Sequence, residues 1–391
     1  MNYSGAVAER CPAIPEPLTR DSAIAPARSI SRDLTLDMLR GWAIVLMVAN
    51  HVGPSTLVCT LAHFTWYVTA ANWFVALSGV VLGMVSVGRL RKEGRRQTYM
   101  RVLSRAFSLW VIHCVLMFAL ILFHESTGRL HEVASVSAAG GWLKVLWMVP
   151  TLRLTSNEFM NILPMYVIFL GLTPIALECM QRRKTGLVLL ASLCLYVAAQ
   201  MYPEWGRISD PISGKRIFSV EAWQFVYVIG LCAGYHRERI TKELWPRYRS
   251  WLLPLCITVF AALFGFALLQ RPTFAWVGLR CPAAGPYFWG KLTAAPGQTL
   301  YFFATMVVSY WVIQQVQRRN ITPLQRFLRP LETIGRYSLY CFLVHIVISL
   351  AARAVNADTW PRWEQEVLTI ASVCIVYVMA KYRILAKYIP N

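Results

Sequence analysis

Residues 32–55 read RDLTLDMLRGWAIVLMVANHVGPS. The middle, Gly41 to Ala49, is apolar enough for hydrocarbon, yet Asp37 and Arg40 stand at one end and Asn50 and His51 at the other. Ionisable side chains are expensive inside a bilayer, and where they are kept they mark functional sites. A helix turns about 100° per residue, so Arg40 and His51, eleven positions apart, share a face to within roughly 20°. Asp37 lies within about 40° of His51 on that face, and Asn50 points roughly 100° away. One stripe therefore carries Asp37, Arg40, Ile44, Met47 and His51. Arg40 and His51 are separated along it by roughly 16 Å at ~1.5 Å per residue.

The rest of the chain suits the same solvent. Of 391 residues, 57% are hydrophobic and 15% charged, with a mean hydropathy of +0.46. A soluble chain carries about a quarter charged residues, so the expectation is an all-α, polytopic transmembrane bundle. Fifteen Trp and seventeen Tyr fit the belts where amphipathic rings sit among headgroups. The net charge of +20 is accounted for by Lys and Arg gathered on cytoplasmic loops. The expected partner is thus the lipid bilayer, with no nucleic acid, and nothing sets an oligomeric state. The ten cysteines include no Cys-x-x-Cys pair, which argues against a zinc ribbon or a thioredoxin-type site. Cys59 and Cys281 fall in loops on one expected side, leaving a disulfide between them open. Residues 1–31 hold no apolar run of the kind a signal peptide needs and read as a disordered cytoplasmic tail. Residues 32–391 read as one transmembrane domain.

Apolar stretches long enough to span fall near 36–57, 66–87, 104–123, 159–178, 185–202, 222–236, 251–270, 299–316, 332–352 and 364–381. A crossing needs about 20 residues, so GWLKVLWMVPTL (141–152) is too short and reads as interfacial or re-entrant. With ten spans, the basic segments 86–105, 181–184, 236–249 and 317–329 fall on one side together with both termini. By the distribution of positive charge that side is cytoplasmic. No internal repeat is clear, which weakens a reading as an inverted-repeat transporter.

On the first span the chemistry is direct. A neutral imidazole takes a proton from a hydroxyl near neutral pH, and an arginine holds phosphate or carboxylate through its planar fork. Together they suit a phosphate-bearing donor arriving from the cytoplasm and a hydroxyl acceptor from outside. The plainer alternative is a snorkelling Arg40 and an interfacial His51.

These residues carry a resemblance. Arg40-x10-His51 resembles the Arg-x10-His signature of the acyltransferase-3 superfamily of membrane O-acyltransferases, and the whole opening stretch resembles its OpgC branch, named for succinylation of periplasmic glucans. FVALSGVVLG (74–83), NILPMYVIFL (161–170), EAWQFVYVIGLCAG (221–234) and IGRYSLYCFLVHI (334–346) resemble further motifs of the branch in the same order. The chain departs from it at Asn50 and Asn161, where the branch has Asp, and at His345. The resemblance implies transfer of an acyl group, succinyl or acetyl, from acyl-CoA as co-substrate, with no resident cofactor and no metal, to a glycan or glycolipid hydroxyl. It implies His51 as general base, Arg40 on the donor, Asp37 orienting Arg40, and Asn50 bonding the oxyanion.

Other positions are weighed on the same terms. Ser338, His345 and Ser349 share one face of the ninth span, so His345 is a second candidate to orient an acceptor or relay a proton. Arg336 lies nearly opposite and is placed to pair with Glu332. Arg101 and Arg105 adjoin a span and are the better donor-phosphate ligands; topogenic charge is the alternative. Trp223 and Gln224, with Asn161 and Tyr166, are candidates for an acceptor cleft, a membrane-belt Trp being the duller alternative. Ser78, Gly79 and Ser338 are candidate cavity-lining residues, although Gly79-x-x-x-Gly83 is also a close-packing signature. A secondary transporter, with Pro164 and Pro174 hinting at a broken helix, and a non-catalytic partner of an envelope-polymer synthase are the rival readings.

Overall fold

In a computed structural model the described residues are 33–384, without 63–67, 131–132, 134, 155–159, 203–217, 270–289 and 292. The expected tail 1–31 and Cys281 lie outside them. Among the described residues the regular elements are helices. They are α1 (Leu34–Val52), α2 (Leu57–Ala62), α3 (Ala70–Thr127), α4 (Trp142–Met148), α5 (Ile162–Gln181), α6 (Thr185–Met201) and α7 (Val220–Tyr235). After a π-helical turn at Ile240–Leu244 come α8 (Trp245–Leu269), α9 (Pro296–Arg318), α10 (Thr322–Arg336), α11 (Ser338–Ala354) and α12 (Arg362–Tyr382).

The all-helical, lipid-facing architecture follows from the sequence. Hydrocarbon offers backbone groups no partners, so a spanning chain must close its own hydrogen bonds. The most apolar window of the 30-residue stretch Arg237–Phe266 buries none of its residues inside the protein, and Phe107, Val115 and Leu122 of α3 are likewise exposed. Among the described residues five helices are long and apolar enough to cross a membrane, or six if α10 and α11 count as one span. That is fewer than the ten expected stretches. Part of the difference is that α3 carries two of them, 66–87 and 104–123, on either side of a break at Gly94 (φ 80°), a left-handed conformation that glycine adopts without strain. In addition, α6 and α7 have only 17 and 16 residues. The segment expected to be interfacial forms α4, seven residues long, with Trp142, Leu143, Leu146 and Trp147 exposed.

Close backbone crossings organise the bundle. Gly79 and Gly83 of α3 abut the main chain of Tyr227 and Leu231 in α7, and Gly230 and Gly234 of α7 abut Ala76 and Val80 in α3. Absent side chains let these backbones meet. Gly41 of α1 lies against the Leu331 carbonyl of α10, and Gly335 of α10 against the Asp37 carbonyl of α1. The start of α1 is fixed by Asp33. One carboxylate oxygen accepts the Thr35 and Leu36 amides at 2.9 and 3.2 Å, satisfying donors that a helix start leaves open. The other accepts the Tyr310 hydroxyl at 2.8 Å and pairs with Arg237, tying α1 to α9 and to the end of α7.

The stretch 332–352, expected as one span, is broken. α10 and α11 meet at an angle of 89° around Tyr337 (φ −115°, ψ 36°). The reason lies in composition: α10 alternates Gln325, Arg326, Arg329 and Glu332 with its apolar positions, while α11 from Leu339 to Ala352 is apolar apart from His345 and Ser349. Polar residues keep the first helix at the boundary, and the chain turns before entering hydrocarbon.

Candidate active site between α1 and α11

α1 runs unbroken through Arg40 and His51, so both lie on the expected stripe. The stripe faces α11. Ser338, the first residue of α11, accepts a hydrogen bond from the Arg40 guanidinium, and His345, two turns on, meets His51 with Nδ1···Nε2 at 2.9 Å. The bend at Tyr337 makes this possible by aiming the apolar helix along α1. His51 is half-buried, whereas His345 is fully buried. Asp37, buried beside the α10 crossing, pairs with Arg40 at 3.5 Å. Between the two ends of the stripe, Ile44 and Met47 are buried.

Two cavities adjoin the Arg40 end. The inner one, about 20 Å³, is lined by Arg40, Ser78, Arg105, Tyr166, Ser338 and Leu339 among others; it is large enough for about one water. The outer one, about 540 Å³, lies between the two arms of α3 and is lined by Arg89, Arg101, Ser104, Arg105 and Ser108 along with apolar residues. The break at Gly94 folds the second arm back so that Arg89 faces Arg101 and Arg105. Val81, Leu82 and Arg105 belong to both cavities. Arg101 also pairs with Glu93 at 3.1 Å. The Nε of Arg105 is buried with no hydrogen-bond partner among the described residues. A buried donor without a partner is costly, and three guanidiniums line this one cavity.

Residues 32–388 match the family described as OpgC protein. The chain belongs to the OpgC family. Membership makes it a transferase of acyl groups, and its apolar helices set it in a membrane. No curated protein and no solved structure gives a significant match.

In this OpgC protein the remaining expected residues divide. Tyr166 and Ser78 line the inner cavity beside Arg40. Asn161 immediately precedes α5, its Oδ1 buried without a partner among the described residues. Asn50 is half-buried on the neighbouring face of α1. Trp223 is fully buried and its indole N–H donates to the Lys291 carbonyl at 3.2 Å, which leaves no ring face for a sugar. Gln224 is engaged with Ser192, donating to its carbonyl at 2.8 Å and accepting from its hydroxyl at 2.7 Å. Gly79 packs on α7. Arg336 pairs with Glu332 at 3.2 Å, as its spacing indicated. The sequence reading held Arg89 only as part of a basic loop, 89–105, able to contact donor phosphates, and singled out Arg101 and Arg105 instead. The signal for Arg89 was the glycine at 94, which permits a turn between two basic helical arms. Among the described residues no group of three or more His, Cys, Asp or Glu is placed to hold a metal ion.

Proposed function

We propose that this protein transfers an acyl group, succinyl or acetyl, from a cytoplasmic acyl-CoA to a hydroxyl of an envelope glycan or glycolipid. It does so in a bacterial cytoplasmic membrane, with ten crossings and both termini on the cytoplasmic side. The observation that carries the reading is the pairing of the two stripes: Arg40 with Ser338 at the end next to the basic cavity, and His51 with His345 at the other. Phosphates of the donor bind Arg89, Arg101 and Arg105, and the thioester passes Arg105 toward Arg40. The acceptor oxygen attacks the thioester carbonyl while His51 takes its proton. The C–S bond then breaks, and the proton passes to the departing sulfur as CoA thiol. Arg40, aligned by Asp37, steadies the acyl group, and Asn50 hydrogen-bonds the oxyanion. Access to His51 requires Ile44 and Met47 to part, because both are buried in this structure.

The rival transporter reading expected broken helices in paired halves. α5 instead runs continuously through Pro174, and the bent pair found among the described residues is α10 with α11. Release of CoA thiol by purified protein, given acyl-CoA and an envelope-glycan acceptor, tests the proposal. His51→Ala is expected to abolish that release while expression and detergent elution stay near those of the parent. Undiminished turnover in the variant would refute the role of His51. Solute uptake without thiol release would favour the transporter.

A further inference from the structure

The contact between the two histidines has a direction. Nδ1 of His345 is 2.8 Å from the Phe342 carbonyl oxygen. A carbonyl only accepts, so that nitrogen carries the hydrogen, and in the neutral ring Nε2 is then an acceptor. Nε2 is the atom that His51 Nδ1 approaches, at 2.9 Å. The ring centroids are 5.1 Å apart, so the two nitrogens lie close to the line between the rings. The contact is therefore edge to edge, as a hydrogen bond requires. With the His51 proton on Nε2 instead, two lone pairs would face each other across 2.9 Å. The orientation of His345 is itself fixed. The ring is fully buried and lies 5.4 Å from that of Phe342, which stacks on Phe74 at 4.7 Å.

We propose that His345 is a positioning residue: it holds His51 in the tautomer protonated on Nδ1, so that Nε2 presents the lone pair that accepts a proton. This role rests on the acyl transfer proposed for His51. His345 fills the place that a carboxylate or amide takes behind other catalytic imidazoles, but without charge. It does not relay the proton onward, because its far side ends on a main-chain carbonyl. The proton that His51 takes from the acceptor hydroxyl stays on Nε2 and is delivered to the leaving thiolate.

Two measurements test this. In ¹⁵N-histidine spectra of the whole protein in nanodiscs, the His51 signal is assigned by its loss in His51→Gln. It is expected to show a protonated Nδ1 and an unprotonated Nε2; the reverse pattern overturns the proposal. In steady-state assays, His345→Leu removes the acceptor and is expected to lower kcat on the order of 100-fold, the scale of general-base catalysis, with KM for acyl-CoA nearly unchanged. His345→Gln, whose amide oxygen falls near the position of Nε2, is expected to recover most of kcat. Parental kcat in His345→Leu, or a His345→Gln variant as slow as His345→Leu, overturns the proposal. The tautomer is read on the parent protein, so it stands even if His345→Leu or His345→Gln fails to fold. Active His51→Ala would sink the role of His51 in acyl transfer and, with it, that of His345; inactive His51→Ala with the reverse tautomer would sink only the role of His345.

Discussion

Arg40 is gripped from two directions, by Asp37 one turn back on α1 and by Ser338 on α11. A hydrogen bond to a charged group contributes about 1.5–3 kcal/mol, and the rigid, extended fork holds its two partners in a geometry that a compact ammonium does not reproduce. Arg40→Lys is therefore expected to lower kcat/KM by at least about tenfold, since ~1.4 kcal/mol is a factor of ten. Ser338→Ala is expected to cost less, and the double variant little more than Arg40→Lys alone, because both changes remove one contact. Full additivity in that cycle would show that the Arg40–Ser338 contact is not made in the working enzyme. At this scale half of the site was legible. Arg40, Asp37 and His51 stand on one helix, where periodicity places side chains without any knowledge of tertiary structure. That Ser338 and His345 face them was not legible, because 298 and 294 residues separate the partners.

At the scale of helices, the site depends on how closely α1 and α10 cross. A Cβ on Gly335 would run into the Asp37 carbonyl and the Gly41 amide nitrogen, so one of the two main chains would have to shift. Gly335→Ala is expected to destabilise the protein by about 1–3 kcal/mol, the usual scale of overpacking, read as a lower thermal midpoint in detergent. Gly171→Ala in α5 is the control. Nothing lies within 4 Å of its added carbon among the described residues, and helix propensity alone gains up to about 1 kcal/mol. Equal effects at the two positions would deny the crossing. The glycine pair at 79 and 83 was readable as a packing motif because its spacing is local. The break at Tyr337 was not, because an average over 332–352 merges an amphipathic helix with an apolar one. Trp223 misled for a related reason: its place at a helix start fits a membrane belt or a sugar platform, and only the fold shows it sealed over by the Lys291 carbonyl.

On the scale of the whole molecule, the basic residues separate into two kinds. Most are loop charges that set orientation, and the sequence reading treated them so. Arg89, Arg101 and Arg105 instead surround a cavity of about 540 Å³. Arg89→Gln and Arg101→Gln are expected to raise KM for acyl-CoA several-fold, to flatten its dependence on ionic strength, and to leave kcat nearly intact. An unchanged KM in both would remove the cavity from donor binding. The helical, membrane-set character of the chain was legible from composition, because hydrocarbon imposes it. The number of crossings was less so, since 17- and 16-residue helices such as α6 and α7 fall short of a full crossing by length. Arg105, alone among these arginines, forms part of the partition between the outer and inner chambers. A nucleotide docked in the outer chamber would pull on the same side chain that borders the small chamber beside Arg40, so grip on the handle is transmitted toward the acyl group. A thioester shorn of its nucleotide is then expected to turn over slowly even at saturation, since remote binding energy is used in the chemical step. A truncated donor with full kcat and only a raised KM would show that the partition transmits nothing.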